Sequence, residues 1–344
     1  MILTSGTTGT PKGAQRSQPS SIAPALAVLD AIPIRARGRT VIAAPLFHSW
    51  GMAHFVLSLP LGSTIVLRRR FDPEATLADI AEHRAAALAV VPVMLQRIMD
   101  LPAKTLKRYD TSELKVIAVS GSALPGELAL RVMDRFGPVL YNLYGSTEVS
   151  WATIAGPADL RAAPGTAGRP PHGTVIRLLD EDGREVPAGT TGRIFVGNGM
   201  AFDGYTGGGG KEIVDGLMST GDVGHLDEDG RLFIDGRDDE MIVSGGENVF
   251  PREIEDLLSD HPSVLEAGVV GVPDDEWGQR LRAVVVVTPG ATVAAVELQE
   301  YVKVNLARFK VPREVVFVEE LPRNATGKVL KRELATDDFA SPIG

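Results

Sequence analysis

Apolar and polar positions alternate in a characteristic way along the first part of the chain. Short runs of apolar and β-branched residues are separated by amphipathic stretches with a helical period. Such alternation is typical of βαβ units and of a buried, largely parallel sheet. The predicted strands are 40–44, 63–67, 87–91 and 115–120, and the helices between them include 73–83 and 125–136. This part is therefore predicted to be an α/β domain.

The pattern changes after about residue 166. Short strands at 175–179, 192–196 and 232–235 are joined by Asp-Gly and Pro-x-Gly turns. These signals predict a small antiparallel β region. A glycine-rich segment at 207–210 is predicted to be a mobile loop, and the polar stretch 235–240 has the character of a hinge.

The last third of the chain has a compact α+β pattern. Its predicted helices are 251–258 and 296–306, and its predicted strands are 264–272, 281–288 and 314–318. We place the domain boundary at the polar stretch, which gives a first domain at 1–236 and a second at 239–344.

The composition of the chain excludes several classes of function. The 344 residues carry a formal net charge of −9, which argues against general nucleic-acid binding because phosphate backbones attract basic surfaces. The absence of cysteine excludes disulfides, thiolate nucleophiles and cysteine-ligated zinc, and it fits a cytoplasmic location. The N-terminus has neither the basic nor the apolar region of a signal peptide.

A charge-free run at 40–67 is the one candidate for a membrane span. Pro45, His48, His54 and Pro60 interrupt it, so we predict a strand, a loop and a helix rather than a transmembrane segment. Peripheral contact with a membrane stays open.

The glycine-rich opening is the most informative stretch. It consists of Thr4, Ser5, Gly6, Thr7, Thr8, Gly9, Thr10, Pro11, Lys12 and Gly13. The two inner glycines let the backbone curl so that successive N–H groups face an anion, and the hydroxyls and the lysine add donors. A Walker loop is excluded because Pro11 stands where that motif has its second glycine. Taken alone, the stretch also fits a flexible tail of small residues.

A second cluster of suitable groups follows a predicted strand near residue 144. Tyr144 offers an aromatic face to a purine, and Gly145 lets the backbone approach a ligand. Thr147 can donate to a phosphoryl oxygen, and Glu148 is a hard carboxylate suited to Mg²⁺. Alone, the segment also fits a strand that ends in a helix cap.

These two stretches resemble the phosphate loop and a later motif of the adenylate-forming superfamily, which includes acyl-CoA synthetases, peptide-synthetase adenylation domains and beetle luciferases. Further motifs follow in the family's order. They begin at Pro45, Ser120, Ser219, Ser244 and Pro322. The resemblance implies an α/β, acyl-CoA synthetase-like fold. It has a truncated large N-terminal domain, made of a parallel-sheet α/β part and a small β region, and then a small α+β C-terminal domain.

The resemblance also implies roles for single residues. It makes His48 an aromatic gate near the carboxylate of the acid, although a lone histidine among apolar residues is more often a satisfied core residue. The adenine would lie near Gly121, Ser122 and Ala123, in a turn that otherwise reads as an ordinary βα loop. The neighbours of His48 are apolar and suit an aliphatic acid: Trp50, Met52, Phe55 and Leu57.

The remaining roles fall in the second half of the chain. Asp222 would accept from both ribose hydroxyls, though an aspartate beside glycine is more often a turn residue. Arg237 would reach the ribose or the α-phosphate, and Asp239 occupies the hinge position. The others are Gly245 and Gly246, which would line the pantetheine channel, and Lys328, the catalytic lysine, which by itself reads as a solvated surface charge.

The implied activity is that of a fatty acyl-CoA ligase. ATP and Mg²⁺ would activate a medium- or long-chain fatty acid to an acyl-adenylate, and coenzyme A would then take the acyl group. An adenylation domain that loads a carrier protein and a noncatalytic nucleotide-binding remnant are the alternatives. The homo-oligomeric state is left open.

The chain departs from the family pattern at its start. Met1 lies three residues before Thr4, whereas the family has a substantial region before its phosphate loop. Without that region we expect an uncovered sheet edge and uncovered apolar helix faces. The chain is then a fragment, a protein with a misassigned start, or one adapted to this length, and its activity is in question.

Overall fold

The computed structural model describes residues 2–4, 12–15, 21–200, 202–206, 210–274, 276–324 and 328–336, without the side chains of 2–4, 12–15 and Asn248. The chain divides into two compact units. Unit 1 is Met1–Thr220 with Gly224–Ile234, and unit 2 is Gly221–Val223 with Asp235–Gly344.

Helices and strands alternate through most of the chain. The helices are α1 (Ala23–Ala31), α2 (Ser49–Ser58), α3 (Pro73–Glu82), α4 (Pro92–Met99), α5 (Ala103–Arg108), α6 (Gly126–Phe136), α7 (Pro157–Ala162), α8 (Pro251–Ser259), α9 (Ala295–Asn305) and α10 (Lys331–Leu334). The strands of unit 1's larger sheet are β3 (Arg39–Ile42), β4 (Thr64–Leu67), β5 (Ala87–Val90), β6 (Val116–Val119), β7 (Leu140–Tyr144) and β8 (Thr153–Ala155).

The other strands form smaller sheets. They are β1 (Ile2–Thr4), β2 (Lys12–Gln15), β9 (Val175–Leu179), β10 (Gly192–Gly197), β11 (Gly204–Tyr205), β12 (Ile213–Val214), β13 (Leu217–Leu226), β14 (Leu232–Arg237), β15 (Ile242–Ser244), β16 (Glu247–Val249), β17 (Val264–Asp274), β18 (Gly278–Val287) and β19 (Glu314–Val318). Short 3₁₀ turns lie at Asp238–Glu240 and Arg308–Lys310.

The larger sheet of unit 1 has the strand order β4-β3-β5-β6-β7-β8. The pairs from β4 to β7 are parallel, and β8 joins β7 in the antiparallel direction. Every residue of β5 and β6 is buried, because helices cover both faces of such a sheet and favour continuous apolar runs over alternating ones. The prediction of a buried, parallel α/β sheet is confirmed.

The four strands predicted in the first part of the chain each extend one or two residues too far at one or both ends. The predicted strand 40–44 is observed as Arg39–Ile42, and the predicted strand 115–120 as Val116–Val119. Ladder pairing ends where the neighbouring strand ends, whereas the apolar run in the sequence continues into the next turn. The charge-free run 40–67 is a strand, a loop, a helix and a strand, as predicted. Among the described residues, no helix is both long and apolar enough to cross a membrane.

One side of unit 1 presents apolar residues to solvent. Strand β4 lies at the edge of the sheet. Exposed large apolar side chains lie on or beside α1, α2 and β4: Ile22, Leu26, Phe47, Met52, Val56, Leu59 and Leu67. Phe47 is 68% exposed. The expectation of an uncovered edge and uncovered helix faces is therefore confirmed.

The small β region of unit 1 is built on a five-stranded sheet. Its order is β12-β13-β10-β9, with β14 on β13. The pairs β9–β10 and β12–β13 are antiparallel, as the Asp-Gly turns predicted. The long strand β13 was not predicted. It contains Gly221 with φ of 80°, and this glycine made the segment resemble a turn in the sequence.

Unit 2 folds around a three-stranded sheet of order β17-β18-β19. The pair β17–β18 is antiparallel, and β18–β19 is parallel. Helices α8 and α9 pack on this sheet through buried Ile254, Leu258, Leu298 and Val302. The α+β pattern predicted for the last third is confirmed, with element ends that differ by one to three residues.

Gly245 and Gly246 form the two-residue turn of the β15–β16 hairpin, in which Ser244 pairs with Glu247. Their φ angles are 62° and 87°, in the left-handed region that two-residue hairpin turns require. A Cβ on Gly245 would lie 2.3 Å from the indole Cε3 of Trp277, whereas a Cβ on Gly246 would meet nothing within 4 Å. The left-handed φ therefore favours glycine at both positions, and the Trp277 ring excludes a side chain at Gly245 alone.

This difference predicts that substitution by alanine destabilises unit 2 by different amounts at the two glycines. We expect Gly246→Ala to lower the stability of unit 2 by about 1–2 kcal/mol, the cost of a left-handed alanine. Gly245→Ala should cost more, because the same strain is joined by overlap with the Trp277 ring. Urea midpoints of the two variants measure the difference, and equal midpoints would contradict the packing role of Trp277.

Candidate active site

The opening glycine-rich stretch lies mostly outside the described residues. The structure gives the backbone on either side of it, where β1 pairs antiparallel with β2 and Thr4 lies opposite Lys12. Strand β11 adds to the other side of β2. The residues expected to cradle phosphate between the strands are outside the described part: Ser5, Gly6, Thr7, Thr8, Gly9 and Thr10.

Parallel pairing brings three of the predicted segments to one edge of the larger sheet. Val90, Val119 and Asn142 lie level in the ladders of β5, β6 and β7. The chain leaves all three strands at this carboxyl edge, which is where open α/β sheets bind ligands. The turn with Gly121, Ser122 and Ala123 follows β6, and Tyr144 ends β7.

Gly121 lies beside His48 at this edge. Its φ is 102°, and a Cβ there would lie 3.4 Å from Val91 Cγ1 and 3.8 Å from His48 Cε1. A larger residue would be strained and would narrow the space beside the imidazole. The sequence-predicted adenine turn and the predicted aromatic gate are therefore neighbours.

His48 is the N-cap of α2. Its Nδ1 accepts a hydrogen bond from the backbone N–H of Trp50 at 3.3 Å, a capping interaction of the kind that begins helices. Burial lowers the pKa of His48, so the ring is neutral at pH 7. His48 is thus a partly buried helix cap beside the predicted adenine turn rather than a core residue.

The apolar neighbours of His48 do not all face one enclosed pocket. Trp50 is buried, donates from Nε1 to the carbonyl of Val90 at 3.0 Å, and stacks edge-on against His54 at 4.4 Å. Met52, which we expected to line the acid pocket, is instead exposed. In an α-helix, residues two apart point in different directions, so Trp50 and Met52 cannot share one face.

Glu148 is held in a defined position. Tyr205 Oη donates to its Oε1 at 2.6 Å, and its backbone N–H donates to Ser146 Oγ at 3.2 Å. Burial alone would raise the pKa of Glu148, but the hydrogen bonds from Tyr205 and Ser146 and the charge of Lys211 lower it overall. The carboxylate is therefore ionised at neutral pH. Tyr205 was missed in the sequence, because only the tertiary fold brings it to residue 148.

Gly145 is required by the packing of the chain itself. A Cβ at this position would lie 2.3 Å from the carbonyl oxygen of Ser150 and 2.6 Å from Trp151 Cα. The close backbone approach that requires glycine is thus made by the chain's own turn after Glu148. Tyr144 belongs to the same arrangement, since its carbonyl accepts from the N–H of Ala152 at 2.8 Å.

In unit 2, Arg237 bridges two predicted site residues. Its Nη1 donates to Asp222 Oδ1 at 3.3 Å, and its Nε donates to Asp239 Oδ1 at 2.9 Å. Burial alone would lower the pKa of Arg237, but Asp239 and Asp222 raise it. Asp222 lies within β13 rather than in a turn, which corrects the alternative interpretation of that aspartate. The predicted ribose-binding residues and the hinge residue are therefore in direct contact.

Lys328 belongs to the same group of charges. Its backbone N–H donates to Asn324 Oδ1 at 3.0 Å, and its carbonyl accepts from the N–H of Asn324 at 2.9 Å. Burial lowers the pKa of the ammonium, and the charge of Arg237 lowers it further. The opposing charges are those of Glu240, Asp222 and Asp239. Lys328 is not the solvated surface lysine of the alternative interpretation.

The described part of the chain contains no group of three or more His, Asp or Glu side chains that could bind a metal ion together. Glu148 therefore fits only the mode in which one carboxylate, substrate oxygens and water share the cation, which is common for Mg²⁺.

Comparison with known proteins assigns the whole chain to one family. The AMP-binding enzyme family model matches residues 1–206, and the AMP-binding enzyme C-terminal domain model matches residues 253–328. The chain is 38% identical to the indoleacetate–CoA ligase of Aromatoleum aromaticum, over 97% of this chain and 66% of that protein. It is 35% identical to a feruloyl-CoA synthase of Amycolatopsis sp, over 97% and 68%.

A solved structure supports the same family assignment. The o-succinylbenzoate coenzyme A synthetase of Bacillus subtilis, in complex with ATP and magnesium ion, superposes with a TM-score of 0.85 at 31% identity. The match covers 97% of this chain and 69% of that one. The chain thus spans about two thirds of the length of the relatives it matches. It belongs to the AMP-binding enzyme family and has the adenylate-forming fold.

Proposed function

We propose that this protein is an acid–thiol ligase. It would use ATP to convert a carboxylic acid to an acyl-adenylate with release of pyrophosphate, and then transfer the acyl group to coenzyme A with release of AMP. The observation that carries the proposal is the half-buried ammonium of Lys328, which lies in the electrostatic field of Arg237 and the carboxylates of Asp222 and Asp239. A cation kept out of water beside a nucleotide-binding arginine and carboxylates suits stabilisation of phosphoryl charge.

In this proposal, unit 1 binds the triphosphate and the acid. Thr4, Lys12 and the residues between them hold the phosphates, Thr147 donates to a phosphoryl oxygen, and Glu148 holds Mg²⁺. When bound, Mg²⁺ neutralises charge on the phosphate oxygens. The fit rests on Glu148, whose ionised carboxylate is oriented by the Tyr205 hydroxyl at 2.6 Å.

Unit 2 would supply the ribose contacts and the catalytic lysine. Asp222 accepts from the ribose hydroxyls, and Arg237 keeps that carboxylate in place through its 3.3 Å hydrogen bond. The acid's carboxylate oxygen forms a bond to the α-phosphorus, and the bond from that phosphorus to pyrophosphate breaks. Lys328 donates hydrogen bonds to the oxygens on which charge builds up, so positioning and electrostatics do most of the catalytic work.

The second step is a thiol attack on the acyl-adenylate carbonyl. The C–S bond forms, the C–O bond to AMP breaks, and the thiol proton is lost to solvent. The Trp277 ring fills the space beside Gly245, but a Cβ on Gly246 would meet nothing within 4 Å, so the hairpin turn leaves room for an extended pantetheine arm on the side of Gly246. Asp239, which pairs with Arg237, is proposed as the hinge between the two steps.

We propose an aromatic acid as the substrate class. The relatives named above act on indoleacetate, ferulate and succinylbenzoate, and these names do not support the fatty acid expected from the apolar neighbours of His48. The exposure of Met52 removes one of the residues on which the fatty-acid prediction relied. Neutral His48 and buried Trp50 are flat rings, which suit a planar acyl group as well as an aliphatic one.

Acid-dependent ATP–pyrophosphate exchange tests the proposal. A panel of indole-3-acetate, ferulate and 2-succinylbenzoate is compared with hexanoate and palmitate at equal ionic strength. We expect the best aromatic acid to exceed either fatty acid in kcat/KM by at least about tenfold, the discrimination that a shaped apolar pocket provides. Exchange with none of these acids would contradict acid activation, and a preference for palmitate would contradict the aromatic class.

Release of AMP that depends on coenzyme A then separates a CoA ligase from an enzyme that loads a carrier protein. With the best acid of the panel, we expect AMP to accumulate only when coenzyme A is present. Exchange without CoA-dependent AMP release would leave adenylation in place and remove the thioester step from the proposal.

Lys328→Ala is expected to separate the two half-reactions. We expect adenylation to fall by at least about 100-fold, the usual cost of a lost charge-stabilising donor, while thioester formation from preformed acyl-adenylate stays within about threefold of the wild type. The matched control is Lys303→Ala, because Lys303 forms an exposed pair with Glu300 on α9. Equal loss of both half-reactions in the Lys328 variant would contradict this division.

The lowered pKa of Lys328 predicts a pH dependence. The ammonium is charged below its pKa and loses its charge as the pH rises through it. Since burial lowers this pKa from 10.5, exchange should decline at a lower pH than an ordinary lysine would require. Arginine stays charged throughout this range, so the decline should be absent from Lys328→Arg. Exchange rates between about pH 7 and 11 test this, and an identical alkaline decline in both proteins would exclude Lys328 as its source.

A further inference from the structure

A second lysine lies three residues after Lys328 and contacts two carboxylates. Lys331 is the first residue of α10, and its Nζ lies 2.9 Å from Glu240 Oε2 and 2.8 Å from Glu255 Oε1. All three side chains are at most a quarter exposed. We call this arrangement the Lys331 clamp.

The Lys331 clamp joins elements that are far apart in the sequence. Glu255 lies on α8, and its Oε1 also accepts from the backbone N–H of Val269 on β17 at 2.8 Å. Leu334, at the other end of α10, is fully buried, and its Cδ1 would lie 2.6 Å from a Cβ on Gly268. Helix α10 is thus fixed on the sheet of unit 2, and Lys331 extends from this fixed point.

Glu240 connects the clamp to the proposed ribose and hinge residues. It ends the 3₁₀ turn Asp238–Glu240 and directly follows Asp239, which pairs with Arg237 at 2.9 Å. Holding Glu240 therefore holds the end of the turn that carries this pair. The Lys331 ammonium thereby links this turn to α8.

The segment that carries Lys328 is short and is closed at its base. Arg323 and Val329 form a β-bridge, and the N–H of Leu330 donates to the carbonyl of Pro322 at 2.8 Å. Lys331 follows immediately, so the clamp fixes one end of this closed loop. Displacement of the clamp would be transmitted to Lys328 through two residues of backbone.

We propose that Lys331 is a positioning residue for Lys328. By joining Glu240 to Glu255, it holds the 3₁₀ turn and the loop of Lys328 at a fixed separation, which keeps the Lys328 ammonium beside Asp222 and Arg237. This inference rests on the proposed function of Lys328. Loss of one partner of a buried ion pair also destabilises a fold, because it leaves charge uncompensated. Positioning is therefore distinguished from stability by the pKa of Lys328 and by rescue with arginine at position 331.

The charges around the Lys331 clamp predict a change in the pKa of Lys328 that a role in packing alone would not cause. Burial lowers the pKa of Lys331, and Glu255 and Glu240 raise it overall. Glu240 also acts on Lys328, together with Arg237, Asp222 and Asp239. If the positive charge of Lys331 is removed, Glu240 acts on Lys328 without a competing cation. The pKa of Lys328 should then rise.

The test uses Lys331→Met, which keeps the apolar stem without the charge, and Lys331→Arg, which keeps the charge. Two measurements are made on the full chain. One is kcat and KM for ATP in pyrophosphate exchange. The other is the pKa of Lys328 without substrates, from the pH dependence of trace amine labelling followed by mass spectrometry.

For Lys331→Met, we expect kcat to fall at least about tenfold while KM for ATP stays within about threefold, as for a misplaced catalytic group. The pKa of Lys328 should rise in the same variant. Lys331→Arg should restore both values to near wild type, and Lys303→Met, at an exposed position of α9, should change neither.

Several outcomes overturn the proposal. The proposal is wrong if folded Lys331→Met keeps the wild-type kcat and the wild-type pKa of Lys328. It is also wrong if Lys331→Arg loses as much kcat as Lys331→Met. If Lys331→Met does not fold, Glu240→Gln decides, since it should lower kcat similarly and wild-type kcat there would overturn the clamp. If the wild-type chain shows no exchange, the proposed function fails, and the labelling pKa still decides whether Lys331 sets the environment of Lys328.

Discussion

Neighbouring strands from β4 to β7 of unit 1 run in the same direction, so the chain leaves each of them at the same edge of the sheet. This constraint accounts for the grouping of residues that are far apart in the sequence. The turn at Gly121 and the end of β7 at Tyr144 must lie at neighbouring positions of that edge. His48, in the loop after β3, lies beside Gly121. The grouping of these segments follows from topology, because no side-chain contact is needed to bring them together, and such an edge is where open α/β sheets bind ligands.

In unit 2, ion pairs rather than strand direction group the predicted site residues. Arg237 holds Asp222 and Asp239, and Lys331 holds Glu240 and Glu255. The two groups meet at the turn Asp238–Glu240, where consecutive residues pair with different cations. Burial lowers the pKa of Lys328, so a catalytic ammonium in this place requires carboxylates nearby to keep it charged. The same carboxylates are therefore proposed to bind ribose, to position the turn and to maintain the charge of the lysine.

The sequence was sufficient for the features that depend on local pattern. Continuous apolar runs predicted β5 and β6, and the order of motifs led to the family and its fold. Features that depend on tertiary contacts were missed. The alternative interpretation of Asp222 as a turn residue came from the neighbouring Gly221, yet cross-strand pairing places Asp222 inside β13. The need for glycine at position 145 to admit the backbone of Ser150 was also not foreseen. The partners Tyr205 of Glu148 and Glu240 of Lys331 are 57 and 91 residues away, and no spacing rule connects side chains at such separations.

The central claim is that a carboxylate oxygen of the acid attacks the α-phosphorus of ATP. Turnover of an acid labelled with ¹⁸O in its carboxylate, followed by mass spectrometry of the nucleotide, tests this claim most directly. The account predicts that AMP carries one ¹⁸O atom and that pyrophosphate carries none, because the bond between the acyl carbon and the bridging oxygen breaks when the thiol attacks. Unlabelled AMP, or ADP formed together with labelled phosphate, would contradict it.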